Sequence, residues 1–311
     1  MKWLLLIGIA LFLIFILLYR KVSNYNQEIT YTNFWHNDDD NTTEKFFQRL
    51  FKGIDGIINI YGIYGPTENI PKIKTTNEIN VFVDTERSDY NNAKLYINNN
   101  SSKYDIILST ARDKGNIITC PDIAIYMGRH NLWDKCLTKR TFKKKTKFCL
   151  FVYSNGGGEI RNQFFKKLSE YKEIDSGGKF MRNIDNVPDK YYSQEYFDFI
   201  SDYKFMICFE SKGDNDYFVT EKLPNAYLGG AIPIYWGGAK VLEWFNPNSF
   251  LYLDDETHMD QLVNKIKELD QDDNMYENFF NQKLTEKIPV DIDEDVISKK
   301  ISTYLNEKSS P

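Results

Sequence analysis

Thr220-Glu221-Lys222 stands where a strand-like run gives way to a helix. Thr220 is placed to cap that helix, with Glu221, Lys222 and Pro224 in its first turn. Lys222 then fixes a cation at a positive helix end. A departing diphosphate needs that arrangement while a glycosidic bond breaks. Glu221 sets a carboxylate beside the cation, suited to donor hydroxyls or to positive charge growing on a sugar. As an ordinary helix-start glutamate it would only complement the dipole. A second constellation lies upstream. Lys147 to Ser154 reads as a buried strand, Asn155-Gly156-Gly157-Gly158 as a tight loop, and Arg161 as a forked cation one turn into the next helix. Backbone N–H groups freed by glycines bind anions, although glycines in such a turn are most often turn residues only.

These residues need a frame that brings loops together. With 311 residues the chain suits two domains of about 100–150 residues each. Strand-like runs occupy 56–65, 79–83 and 104–109, with helical or loop material between them. A second series begins after Lys143-Lys144-Lys145: strands at 147–154 and 204–209, a helix from Thr220 to Leu228 stopped by Gly229-Gly230, and strands at 231–236 and 250–253. Residues 258–307 read as two helices around an acidic loop. Two α/β units in tandem predict a two-lobed fold with a cleft. In open α/β sheets ligands sit at the carboxyl ends of strands, here the loops after 154, 209 and 236. The domain expectation is an anchor over 1–21, a polar stem over 22–45, a first lobe over 46–142 and a second over 143–311.

Residues Trp3 to Tyr19 are an unbroken apolar run. As a helix it would reach about 25 Å, enough for a thin bilayer, with Trp3 and Tyr19 at the interfaces. The following Arg20-Lys21-Val22-Ser23 offers no small-residue cleavage site, so the expectation is an uncleaved single-pass anchor. Charges on its two flanks do not choose an orientation. A net charge of -5 argues against a general nucleic-acid binder. The four cysteines, Cys120, Cys136, Cys149 and Cys208, show no CxxC spacing for zinc. Cys149 and Cys208 read as core residues, and a Cys120–Cys136 pairing stays open. Aromatic residues make up 15% of the chain, which suits a sugar cleft but equally a compositional bias.

Residues 205–238, FMICFESKGDNDYFVTEKLPNAYLGGAIPIYWGG, resemble the signature of the α1,3/α1,4-fucosyltransferase family, the inverting, GDP-fucose-dependent group. The resemblance is carried by Phe209-Glu210, Thr220-Glu221-Lys222, Ala226, Pro233, Tyr235 and Gly237. Upstream, Ser154-Asn155, Arg161-Asn162, Phe165, Gly177-Gly178 and Arg182-Asn183 resemble the preceding family block. The resemblance implies a GT-B-type fold of two Rossmann-like lobes, with the acceptor in the first and the donor in the second. It implies that Arg161 and Lys222 hold the diphosphate, Asn155 belongs to the donor site, and Glu221 contacts the donor's sugar moieties. The segment VFVDTERS resembles the family stretch bearing the general base, which puts that role on Glu86. Alone, Glu86 would read as a solvated loop residue. This sequence departs from the family in having Phe218 where tyrosine is usual; Tyr217 beside it is then the candidate for the phosphate contact. Ser211 replaces the usual asparagine after Glu210.

What the resemblance implies for partners is GDP-fucose as donor, a glycan hydroxyl as acceptor (α1,3 on GlcNAc or a related sugar), no metal and no other cofactor. A type II placement in the Golgi or another secretory membrane follows from the same source. Asp214-Asn215-Asp216 has the DxD form of metal-dependent glycosyltransferases, but lies in a polar loop rather than closing a strand, and reads as a decoy. His36, His130 and His258 are scattered. Two alternatives stand beside the main reading: a related GT-B transferase with another nucleotide-sugar donor, and a catalytically silent glycan-binding relative. Against the silent relative, Glu86, Arg161, Glu221 and Lys222 are all present together.

Overall fold

The computed structural model describes residues 27–34, 41–65, 78–86, 93–213 and 217–309. The apolar run 3–19 and Asp214–Asp216 lie outside these residues. No helix among the described residues is long and apolar enough to cross a membrane.

The first half holds strands β1 (Gln27–Thr32), β2 (Gly56–Gly62), β3 (Glu78–Asp84), β4 (Ile106–Ser109) and β5 (Ile117–Thr119). They form one parallel sheet in sequential order. Its helices are α1 (Thr42–Leu50), α2 (Ala93–Asn100), α3 (Asp122–Arg129) and α4 (Trp133–Leu137). Strands β3 and β4 are buried over most or all of their length, as expected where both sheet faces are covered. Helix α1 buries Phe46, Phe47 and Leu50 on one face. Helix α3 buries Ile123 through Arg129 without interruption, because it lies between the two halves. Its Ile123 N–H donates to the Val219 carbonyl at 3.3 Å, and Tyr126 Oη donates to Asn225 Oδ1 at 2.6 Å.

The second half holds β6 (Lys147–Phe151), α5 (Glu159–Ser169), β7 (Asp175–Ser176), α6 (Gln194–Ile200), β8 (Tyr203–Phe209), α7 (Lys222–Leu228), β9 (Ile232–Trp236), α8 (Val241–Trp244) and β10 (Leu251–Tyr252). Three helices close the chain: α9 (Met259–Gln271), α10 (Asp273–Phe280) and α11 (Glu294–Ser309). The sheet is parallel, in the order β10-β9-β8-β6-β7. Strand β6 has β7 on one side and β8 on the other. The winding direction therefore reverses between β6 and β8, and a crevice opens at their carboxyl ends.

The polar stretch 22–45, read as a stem, contains β1, which pairs with β2 over six residues. Its apolar residues occur only at alternate positions, Ile29 and Tyr31, the pattern of a half-buried edge strand that a composition-based reading overlooks. The end of the chain has three helices, and α11 packs on the first half: Arg49 Nε meets Glu294 Oε1 at 2.6 Å and Lys300 meets Asp113 at 2.8 Å. Between the halves, Arg140 is sandwiched by the rings of Tyr227 and Phe280 at 3.9 and 4.0 Å and donates to three carbonyls of the second half. All four cysteines are buried free thiols, so Cys120 and Cys136 are not paired.

Candidate active site

The crevice at the strand reversal is furnished by the loops after β6 and β8. Glu210 follows β8 and is completely buried. Its carboxylate accepts from the Thr220 N–H at 2.9 Å, from Thr220 Oγ1 at 2.9 and 3.0 Å, and from Lys222 Nζ at 2.9 Å. Lys222 Nζ also donates to Thr220 Oγ1 at 2.7 Å. Thr220 is therefore not the helix cap the sequence suggests. Glu221 occupies the position before α7, without a side-chain capping bond, and the Thr220 hydroxyl is spent on Glu210 and Lys222. Burial works against the Lys222 ammonium, but Glu210 and then Glu221 outweigh it and raise its pKa. Burial likewise pushes the Glu210 carboxyl up, with Lys222 pulling against it. The outcome is a cation fixed in place and a quarter exposed. Gly237 makes this burial possible: a Cβ there would lie 2.6 Å from Glu210 Cγ.

The glycine loop after β6 holds Arg161. Its guanidinium lies over the Tyr153 ring at 4.0 Å and donates to the Asn155 carbonyl. The Asn155 side chain accepts the Gly157 N–H at 2.8 Å, which shapes the loop. Tyr153 is the link between the two constellations: its hydroxyl reaches the Ile207 and Phe209 carbonyls of β8 at 3.0 Å each. Gly178 packs so closely on Tyr153 that a Cβ would fall 2.0 Å from the Tyr153 carbonyl oxygen. Arg161 Nε is buried without a hydrogen-bond partner. Such an orphan donor costs about 1–3 kcal/mol, which an anionic oxygen would relieve.

A cleft of about 590 Å³ opens in front of Lys222, lined from both halves. Glu86, Glu221 and Lys222 all line it. Glu86 sits just past β3, and Tyr64 Oη donates to its Oε1 at 2.9 Å. Glu221 Oε1 is 3.8 Å from Lys222 Nζ. Asn155 and Arg161 stand at the glycine loop and are not among the lining residues. Tyr217 is also absent from the lining. Its ring meets Trp244 edge-on at 6.1 Å and lies 5.3 Å from Lys240 Nζ, while Phe218 faces the cleft. The sequence reading missed Asp122, at the start of α3, which lines the cleft with Glu86 and Glu221. Burial, then Glu221 and Glu86, push its pKa well above the usual carboxylate range, with Lys222 opposing. A signal was present in Pro121-Asp122 ahead of an apolar helix, but one aspartate there reads as an ordinary helix start.

The family model described as Glycosyltransferase family 10 (fucosyltransferase) C-term matches residues 142–308, more than half of the chain. The chain belongs to glycosyltransferase family 10. Among curated relatives of this family 10 chain, the α-(1,3)-fucosyltransferase FucT of Helicobacter pylori is 38% identical over 133 residues, covering 42% of the chain and 26% of the relative. The putative fucosyltransferase R654 of Acanthamoeba polyphaga mimivirus is 28% identical over 254 residues, covering 78% and 41%. Human GDP-fucose protein O-fucosyltransferase 3 is 31% identical over 134 residues, covering 41% and 28%. The chain thus spans 26% to 41% of the length of these relatives. The fold matches a crystal structure of an α1,3-fucosyltransferase with GDP-fucose at a TM-score of 0.64 and 20% identity, over 93% of this chain and 92% of that one.

One more carboxylate conditions the site. Asp84 closes β3 and is 4% exposed, with Oδ1 buried and unpartnered. Burial and the nearby Glu86 push it up to about 7, although its carboxylate accepts the Glu86 N–H. The folded state therefore keeps this proton after the unfolded chain has released it near pH 4. Stability falls as pH rises between about 4 and 7, by up to ~4 kcal/mol. Asp84→Asn is expected to exceed the wild type in stability at pH 8 by a few kcal/mol and to match it near pH 4. Urea midpoints at the two pH values check this; an equal offset at both would remove Asp84 from the account.

Proposed function

We propose that this chain transfers L-fucose from GDP-fucose to a glycan hydroxyl, with inversion, in a single displacement. The observation that carries the proposal is Lys222: a family 10 cation held charged by a buried carboxylate, at the sheet reversal, facing a cleft shared by both halves. In this reading Lys222 and Arg161 take the diphosphate. Asn155 shapes the loop around it, and Glu221 faces the fucose. Tyr217, turned toward Trp244, supports the pocket wall rather than the phosphate. Glu86 accepts the proton of the acceptor hydroxyl, with α1,3 linkage to GlcNAc or a related sugar as the nominated product. The two lobes follow the division near residue 142, and the run 3–19 anchors the chain in a secretory-pathway membrane. Charge neutralisation comes from side chains, so no metal is needed.

A donor screen tests this with the full chain in detergent. GDP-fucose, GDP-mannose, UDP-glucose and UDP-GlcNAc are offered with and without N-acetyllactosamine, and nucleotide release is measured. The expected result is acceptor-stimulated release from GDP-fucose alone, unchanged by EDTA. Preferential consumption of a uridine donor, or loss with EDTA and recovery with Mn²⁺, would overturn the donor or the metal-free assignment respectively.

A further inference from the structure

Six aromatic rings share the cleft with the carboxylates: Tyr64, Tyr126, His130, Tyr191, Tyr192 and Phe218. Four of them form one continuous surface. Tyr126 and Tyr191 are stacked at 6.2 Å and 23°, and His130 and Tyr192 at 4.1 Å and 12°. Tyr191 meets Tyr192 edge-on at 5.9 Å, and Tyr126 meets His130 edge-on at 5.1 Å. The two halves contribute equally: Tyr126 and His130 belong to α3 and its end, while Tyr191 and Tyr192 precede α6. The assembly is held in place. Tyr126 Oη reaches Asn225, one turn beyond Lys222 on α7, and also the Tyr191 carbonyl at 3.4 Å. Burial and the Glu221 and Asp122 carboxylates push the Tyr191 phenol up to about 12, so its hydroxyl lies in the field of the candidate active site. Yet Tyr191 remains 48% exposed. A large ring left open beside carboxylates, on a braced support, matches a ligand with an apolar face and a polar edge.

We infer that Tyr191, backed by Tyr126, Tyr192 and His130, is the platform on which the pyranose ring of the acceptor stacks. This rests on the proposed fucosyl transfer and decides a point the relatives leave open, since their names divide between α1,3-fucosyltransferases and protein O-fucosyltransferases. A pyranose presents a face of C–H groups and an edge of hydroxyls. The rings take the face, and Glu86, Asp122 and Glu221 lie where the hydroxyls emerge. A serine or threonine hydroxyl on a peptide brings no such face. The platform is built from α3 and the 190–192 loop, whereas the diphosphate cations lie at the loops after β6 and β8, which assigns it to the acceptor rather than to the nucleoside.

The test uses the full chain, with N-acetyllactosamine and a threonine-containing peptide as acceptor probes. Tyr191→Ala is expected to raise the KM for N-acetyllactosamine roughly tenfold or more, with the KM for GDP-fucose moving less than about twofold. Tyr191→Trp, which keeps a flat ring, should restore most of the acceptor affinity. Saturation-transfer NMR in the presence of GDP should mark one face of the sugar in the wild type and lose that pattern in Tyr191→Ala. An unchanged acceptor KM in Tyr191→Ala overturns the platform. A rise confined to the GDP-fucose KM overturns it in favour of a nucleoside site, and transfer to the peptide but not the sugar overturns the acceptor class. Calorimetric titration of the wild type with GDP-fucose is the separate control. No binding there would defeat the underlying function, whereas binding with an unmoved acceptor KM defeats the platform alone.

Discussion

Alanine in place of Lys222 should lower kcat for fucosyl transfer by about 10²–10³-fold, the usual loss when one charge-stabilising donor is removed from an active site. It should also weaken the fold. Glu210 is completely buried, and Lys222 is the cation that pairs with it. Removing one member of a buried ion pair costs roughly 3–5 kcal/mol, because the remaining charge stays out of water. Turnover by Lys222→Ala therefore mixes two effects. The double variant Glu210→Gln/Lys222→Ala separates them: a neutral amide can still accept from the Thr220 N–H and hydroxyl, so most of the lost stability should return while activity does not. Urea unfolding followed by circular dichroism, alongside GDP release, reads both quantities. Near-wild-type turnover in Lys222→Ala would remove Lys222 from leaving-group stabilisation. Recovery of turnover in the double variant would reduce its role to holding the fold. The assay pH is not a confounding variable, because Glu210 and Glu221 raise the ammonium's pKa above its ordinary value and keep it charged at neutral pH.

The pair of Lys222 and Glu210 shows what a sequence can and cannot disclose. Strands β6, β8 and β9 are legible as short apolar runs, because strands buried on both faces need them. The reversal of winding at β6 is not legible. It depends on β7, two residues long, which no local pattern marks. Glu210 and Thr220 are visible as residues, but their joint hold on Lys222 depends on the loop between them folding back. A cap is the reasonable local reading of threonine before a helix, and tertiary contact overrides it. Tyr217 is a related case: it is adjacent to Phe218 in sequence, but the chain turns there, with the Val219 N–H donating to the Tyr217 carbonyl at 3.0 Å, and its ring lies against Trp244 while Phe218 lines the cleft. Asp122 and the rings around Tyr191 come together only when α3 packs against the second half, so spacing along the chain carries no trace of them. Strand β1 was hidden for another reason. An edge strand needs only one apolar face, and the surrounding polar residues made it read as a tether.

Glutamine in place of Glu86 should lower kcat by about 10²–10⁴-fold, the range that general-base removal spans, and should leave GDP-fucose affinity intact. Three carboxylates line the cleft, so the choice among them needs a physical reason. Glu221 is 3.8 Å from Lys222 Nζ, the cation to which the proposed reaction gives the donor's diphosphate. Burial, then Glu221 and Glu86, raise the Asp122 carboxyl's pKa well above the usual range, which favours its neutral, hydrogen-bond-donating form. Glu86 comes from the other half of the chain, across the cleft from Lys222, and a single displacement with inversion needs its base opposite the leaving group. Tyr64 Oη, 2.9 Å away, orients it and can still donate to the glutamine oxygen, so the variant keeps its local geometry. Asp122→Asn is the matched comparison. Asparagine resembles the protonated acid, and that variant should retain activity within about tenfold of the wild type. Calorimetry with GDP-fucose and single-turnover transfer to N-acetyllactosamine measure the two variants side by side. If Asp122→Asn is inactive and Glu86→Gln turns over normally, the proton goes to Asp122, and the high affinity of its carboxyl for that proton becomes the property to explain.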